Sequence, residues 1–235
     1  MNKATLDEIR IRFDNDVEKF SNIDIGQTSL VDAKLSLEIV TESAKRLVPN
    51  AVSLLDVGSG AGNYTLKMLS KIPDLNCTLI DLSKPMLDRA FERISKQTKG
   101  KITAIQSDIR TADLEKDFFD IVLSGAALHH LRDKSDWENV FGKLYRTLKP
   151  KGCLIISDLI FQNSKLLTDY MFEMYSDYLN RVGGEKFCQD ILDKIEKEDT
   201  PRSLDYQLDL MKKVGFSTVE VLHKNMCFAV FGAIK

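Results

Sequence analysis

Five short runs of Val, Ile and Leu recur along the chain: VSLLDV (52–57), CTLIDL (77–82), ITAIQSD (102–108), FFDIVLS (118–124) and GCLIISD (152–158). They alternate little between apolar and polar residues, which is how strands covered on both faces read. Between them lie amphipathic stretches, NYTLKMLSKI (63–72), KPMLDRAFERISKQ (84–97) and DWENVFGKLYRTLKP (136–150). The last is expected to run to Pro150, with Gly152 beyond it as a stop. Strand and helix in alternation predict an α/β fold, a parallel doubly wound sheet with helices on both faces. The chain has 235 residues, 43% of them hydrophobic, which predicts a single domain with one sizeable core.

Two regions break the alternation. Residues 1–50 read as an N-terminal helical lid, clearest in LVDAKLSLEIVTESAKRLVP. The core follows over 51–158. A cap insertion over 159–201 carries the aromatic-rich LLTDYMFEMYSDYLNR. That stretch either covers the carboxyl edge of the sheet or packs on it as an ordinary helix. Residues 202–235 read as a last helix, SLDYQLDLMKKVGF, then an antiparallel hairpin, STVEVLHK and MCFAVFGAIK, linked at Lys224–Asn225.

Composition removes several function classes. Thirty-three basic against 35 acidic residues give a net charge of −2, without the basic surplus of a nucleic-acid binder. The four cysteines are scattered and form no CxxC pair, which suits reduced residues in a cytoplasmic protein. The charged start MNKATLDEIRIRFDND is no signal peptide, and the apolar run MCFAVFGAI is too short to span a membrane. The oligomeric state is not legible, and a homodimer stays open.

The strongest local signal is LLDVGSGAGNYT (54–65), in which a strand ends in a DxGxGxG pattern and a helix begins. Glycines after a first strand allow a tight turn and close approach of a ligand to the backbone. The following helix N-terminus favours an anionic group. A dinucleotide GxGxxG loop counted from Gly58 would need glycine at 63, where this chain has Asn63. Asp81 closes the second strand, where a carboxylate can accept from both hydroxyls of a ribose. Asp108 closes the third, where it can accept from an adenine amino group, with Leu82 and Ile109 packing on the ring. With Asp56, these acids close three successive strands on one edge and suit a cationic ligand better than a pyrophosphate.

In order, LLDVGSGAGNYT, LIDLSKPML, QSDIR, FDIVLSGAALHHL and LYRTLKPKGCLIISD resemble the motifs of class I S-adenosylmethionine (SAM) dependent methyltransferases over residues 50–160. The closing VGF…VEVLH…FAVFGAIK is similar to that family's final hairpin. The resemblance implies a Rossmann-like seven-stranded sheet in the order 3-2-1-4-5-7-6, the last strand antiparallel. It implies methyl transfer from SAM to a small-molecule acceptor, with S-adenosylhomocysteine as product. By position, Asp56, Gly58, Gly60 and Gly62 would hold the methionine half of the cofactor and Asp81 the ribose. Leu82 and Met86 would flank the adenine, and Asp108 with Ile109 would reach its edge. Ser124 and Gly125 would present backbone groups near the amino group and methyl. The flanks, including RFDNDVEKFSNIDIGQ, resemble the carboxy-SAM synthases. Yet no arginine stands in QDILDKIEKE (189–198), where those enzymes hold the extra carboxylate, and Gln27 replaces an expected tyrosine. Carboxy-SAM synthesis and cofactor binding without transfer are the alternatives; a nicotinamide oxidoreductase fits less well, given Asn63 and the acids.

For catalysis, His129 is the candidate base or pocket residue after the fourth strand, and His130 is expected to pack or cap locally. Arg12, Phe13, Phe20 and Gln27 are candidates for the lid; Tyr170, Tyr175 and Tyr178 are candidates for the cap. No metal is expected. Adjacent histidines in a helical turn point about 100° apart, no HxxxH or cysteine partner completes a zinc set, and nothing links His223 to the pair.

Overall fold

Seven strands form one sheet in the computed structural model, which describes residues 3–22 and 27–235. They are β1 (Ser53–Val57), β2 (Asn76–Asp81), β3 (Ile102–Gln106), β4 (Phe119–Gly125), β5 (Leu148–Leu159), β6 (Thr218–Asn225) and β7 (Phe228–Ile234). Their order is β3-β2-β1-β4-β5-β7-β6, as expected. The first five run parallel, and β7 lies antiparallel to both β5 and β6. Val57 pairs with Ile80 on one side and with Ser124 on the other, so the loops after β1, β2 and β4 open at one level.

Two helical layers explain why the strand runs lack alternation. Leu55, Val57, Val122, Leu154 and Ile156 pack on one face, against α6 (Lys134–Thr147) and α8 (Leu204–Val214). Leu54, Leu79, Ile121, Leu123 and Ile155 point to the other, against α3 (Ala33–Leu47), α4 (Asn63–Leu69) and α5 (Lys84–Ile94). Successive side chains alternate between faces, but both faces are covered, so both sets must be apolar. Val140, Phe141 and Leu144 give α6 its inner stripe, with Trp137 one turn earlier.

Two boundaries differ from expectation. Helix α6 stops at Thr147, and Leu148 is already extended (φ −73°, ψ 140°). Pro150 pushes the residue before it out of the helical region, so β5 begins earlier than 152 and its Leu148 pairs with Phe119. The hairpin turns at Met226–Cys227 rather than Lys224–Asn225. Asn225 pairs with Phe228, and Met226 takes the left-handed conformation (φ 49°).

The N-terminal segment forms α1 (Leu6–Asn15) and α2 (Val17–Ser21). A capping box starts α1: Thr5 accepts from the Glu8 N–H, and the Glu8 carboxylate accepts from the Thr5 N–H. Residues 23–26 of the N-terminal motif lie outside the described residues. The cap insertion is α7 (Lys165–Glu198), broken at Gly184 (φ 80°, ψ 177°). Its Tyr175, Leu179 and Cys188 pack with Leu159 and Cys227. The aromatic stretch therefore covers the carboxyl end of β5 and the hairpin turn. Tyr175 donates to the Ser29 carbonyl (2.8 Å) and Tyr178 to that of Thr28 (2.9 Å), which ties the cap to the lid. Tyr170 stands 51% exposed. All four cysteines are free and buried. Among the described residues, no helix is long and apolar enough to cross a membrane.

Candidate active site

At the carboxyl edge of the sheet, β1 runs into Gly58, Gly60 and Gly62, whose φ values are +68°, +49° and +83°. All three need the left-handed region that glycine enters without strain. A Cβ on Gly58 would also meet the Ala127 Cβ at 2.4 Å, so this loop lies directly on the one after β4. The loop forms one wall of a cavity bounded by Asp81, Leu82 and Met86 from β2 and α5, by Asp108 and Ile109 after β3, and by Gly125 at the end of β4. The lid closes it with Phe13, Phe20 and Gln27.

The acids fare differently in this cavity. Asp81 is pinned: one oxygen accepts from the Gly60 N–H (2.8 Å) and the other from the Ser83 N–H (2.8 Å). Burial raises its pKa, and those two bonds oppose the rise. Asp108 is held by the Arg110 guanidinium (2.6 Å and 2.9 Å to one oxygen), which also reaches Asp136 (3.0 Å). The cavity is thus less acidic than the count of aspartates implied, and Arg110 belongs to its wall.

Three predicted cofactor residues do not line the cavity. Asp56 is 1% exposed and turns beneath the loop, where it accepts from the Thr65 hydroxyl (2.7 Å). Burial pushes its pKa up to about 6, with the Thr65 hydrogen bonds opposing. Gly62 is the N-cap of α4, and a Cβ there would meet Ile94 Cδ1 at 2.9 Å. Ser124 is buried and donates to the Val57 carbonyl (3.3 Å). These residues shape the loop from behind, because strand side chains alternate and only one set can face the opening.

A second cavity adjoins the first and shares Phe13, Phe20, Leu30, Ala126 and His130 with it. Arg12, His129 and Tyr175 line only this second space. Arg12 grips Glu198 with two nitrogens (Nε 2.8 Å, second nitrogen 2.5 Å) and lies over the Phe13 ring at 4.0 Å. Lys19 and Lys194 complete the wall; burial lowers the Lys19 pKa, and Lys194 and Arg12 nearby lower it further.

The histidines sit in a 3-10 turn, Leu128–His130. His129 Nδ1 bonds the Asp158 carboxylate, and the His129 N–H donates to the other Asp158 oxygen (3.1 Å). Burial opposes a charged imidazole, but Asp199 and Asp158 outweigh it and raise the His129 pKa to about 9. His130 Nδ1 lies 3.0 Å from Asp199, and its ring centroid is 4.3 Å from that of His129. Two expectations need correction here. His130 lines both cavities rather than packing on the sheet, and the two rings converge on Asp199 rather than diverging. The rings converge because Asp199 arrives from the far end of α7, 69 positions from His130. No local pattern announces Asp158, Glu198 or Asp199. His223 is remote from this group: its Nε2 meets Asp32 (2.9 Å), which also accepts from Asn225 (2.8 Å), fixing β6 to the start of α3.

The residues present fit the expected cofactor. Among the described residues, Ser59 Oγ in the loop is buried without a hydrogen-bond partner, and the half-buried Asp81 carboxylate meets only backbone donors. Both are polar atoms left for a polar ligand to satisfy.

Residues 54–152 match the family model described as "Methyltransferase domain". Sequence relatives include the carboxy-S-adenosyl-L-methionine synthase of Nautilia profundicola, 25% identical over 231 residues, 97% of this chain and 96% of the relative. The synthase of Campylobacter hominis is 28% identical over 237 residues, 95% of this chain and 98% of the relative. Among solved structures, an O-methyltransferase family protein from Burkholderia thailandensis has a TM-score of 0.67 at 18% identity, covering 95% of this chain and 61% of that one. Human N-acetylserotonin methyltransferase, solved with SAM, has a TM-score of 0.63 at 18% identity, covering 98% and 59%. The structural likenesses carry the fold. Fold, glycine loop and domain match converge: residues 54–152 of the chain match a methyltransferase domain, and the residues lining its first cavity fit SAM as the cofactor.

Proposed function

We propose that the protein transfers a methyl group from SAM to a small-molecule acceptor held in the second cavity. The observation that carries this reading is the continuity of the two cavities through Phe13, Phe20 and His130. When bound, SAM supplies a methyl group on a leaving group that needs no further activation. The protein's part is then positioning and exclusion of water. Asp81 and the Gly60 N–H hold the first cavity in register, and Phe13 and Phe20 close both spaces from the lid. His129 carries a proton near neutral pH, held between Asp158 and Asp199, so it orients an acceptor as a donor rather than acting as a free base. The near-balanced charge argues for a small acceptor rather than a nucleic acid, and four buried thiols suit the cytoplasm.

A second reading is carboxy-SAM synthesis. It is favoured by the nearly full-length likeness to the synthases, and by Lys19 and Lys194, which line the second cavity beside Arg12. Mass spectrometry separates the two. Incubation with methyl-labelled SAM and a metabolite extract is expected to give S-adenosylhomocysteine and a labelled small molecule. A carboxylated SAM carried through purification gives the second reading instead. Absence of any thermal shift with SAM or S-adenosylhomocysteine overturns both.

A further inference from the structure

The geometry points to a transition-metal site in the second cavity, formed by His129 Nε2, His130 Nδ1 and Asp199 Oδ1. These three atoms lie within 4.8 Å of one another, with His130 Nδ1 at 3.0 Å and His129 Nε2 at 3.7 Å from Asp199 Oδ1. Donors about 2.0–2.2 Å from a shared ion stand roughly 3 Å apart, so His129 needs only a small ring rotation.

Four features make this more than a coincidence of side chains. First, Asp158 takes His129 Nδ1 and so leaves Nε2 to face Asp199, the carboxylate–histidine arrangement that orients imidazole ligands around metals. Second, the backbone is clamped around the group. The Thr200 N–H donates to the His129 carbonyl (2.7 Å), and Arg132 donates to the Glu198 carbonyl (2.5 Å) and Thr200 Oγ1 (3.1 Å). Third, Asp158 and Asp199 are 2% and 8% exposed, and among the described residues neither has a Lys or Arg side chain within ion-pair distance. A divalent ion bound here takes the place of the proton that His129 otherwise holds between the two carboxylates. Fourth, all three donors line the second cavity, which gives an entry path and open coordination positions.

Two imidazoles and one carboxylate with open positions select Zn(II), Fe(II), Co(II) or Mn(II) over Mg(II) or Ca(II), which prefer all-oxygen sets. The ion would bind an acceptor oxygen or nitrogen beside the cofactor cavity. The site stands on its own geometry and does not depend on which transfer reaction the protein performs.

The test is Zn(II) calorimetry and Co(II) absorption on tag-free protein stripped with chelator. About one equivalent is expected to bind with Kd below about 10 µM. His130→Gln, whose ring is partly exposed and whose loss spares the core, is expected to weaken binding at least tenfold, and His223→Gln to leave it unchanged. Asp158→Asn, which removes only the partner of a ligand, is expected to weaken it about tenfold. Circular dichroism confirms that each variant is folded; should Asp158→Asn fail, His130→Gln alone decides. No saturable binding to the parent protein overturns the proposal, as does binding that His130→Gln leaves intact. Either result would mean that protons on the histidines balance the two aspartates.

Discussion

Asp81 and Asp56 close neighbouring strands, yet their surroundings give them different work. The Asp81 oxygens are held by two backbone N–H groups and face the cofactor cavity. Asp81→Asn keeps the shape and removes the charge. A hydrogen bond to a charged group contributes about 1.5–3 kcal/mol. The variant should therefore bind S-adenosylhomocysteine about 10- to 100-fold more weakly by calorimetry, and an unchanged Kd would remove Asp81 from the site. Asp56 is buried outside the cavity lining, and its effect is on stability. Its folded pKa, about 6, lies above the ordinary 3.8. A raised acid leaves the fold most favoured below the unfolded value, and that favour is lost as pH rises through the folded value. Between about pH 5 and about pH 7 the loss is about 1 kcal/mol. Asp56→Asn keeps an acceptor for Thr65 and removes this slope. Urea midpoints of parent and variant should diverge across that window in the cofactor-free protein, and parallel curves would refute the assignment.

At the scale of the element, the glycine loop separates two effects that a consensus pattern merges. Gly60 and Gly58 both have positive φ, but a Cβ on Gly60 meets nothing within 4 Å, whereas one on Gly58 meets Ala127 at 2.4 Å. Gly60→Ala then costs only backbone strain, about 1–2 kcal/mol. Gly58→Ala adds overpacking of about 1–3 kcal/mol more. Thermal denaturation of the cofactor-free variants should rank them in that order, with Gly58→Ala the less stable. The same element-level logic explains the register of the chain. Leu54 and Leu55 are adjacent yet belong to opposite layers, because each strand face meets its own set of helices.

Over the whole molecule, the lid and the cap are joined by ends of chain that meet far from each other in sequence. Arg12 grips Glu198, the Ala4 N–H donates to the Lys197 carbonyl (2.9 Å), and Arg132 donates to the Ala4 carbonyl (2.8 Å). Arg12→Met leaves the nearly buried Glu198 carboxylate without its partner, at a cost of up to about 3 kcal/mol. Hydrogen exchange should then rise in Leu6–Asn15 while β1, β4 and β5 stay protected; unchanged exchange in α1 would show that the pair does not hold the lid. How much of this was legible follows from range. The paired layers, the strand order and the DxGxGxG turn are set by patterns a few residues long, repeated in register, and the sequence carries them. Asp81 and Met86 line the first cavity, and both sit at fixed offsets from strand ends. Asp56 and Ser124 do not line it, since which way a strand-end side chain turns depends on what packs beneath it. His129, His130, Asp158 and Asp199 come together only when α7 returns its last residues to the turn after β4. By itself, then, the sequence determined the sheet, its helices and the cofactor loop. The tertiary structure alone decided the second cavity and its charge balance, because that group is made by contacts across about 30 to 190 positions of chain, and no local propensity records them.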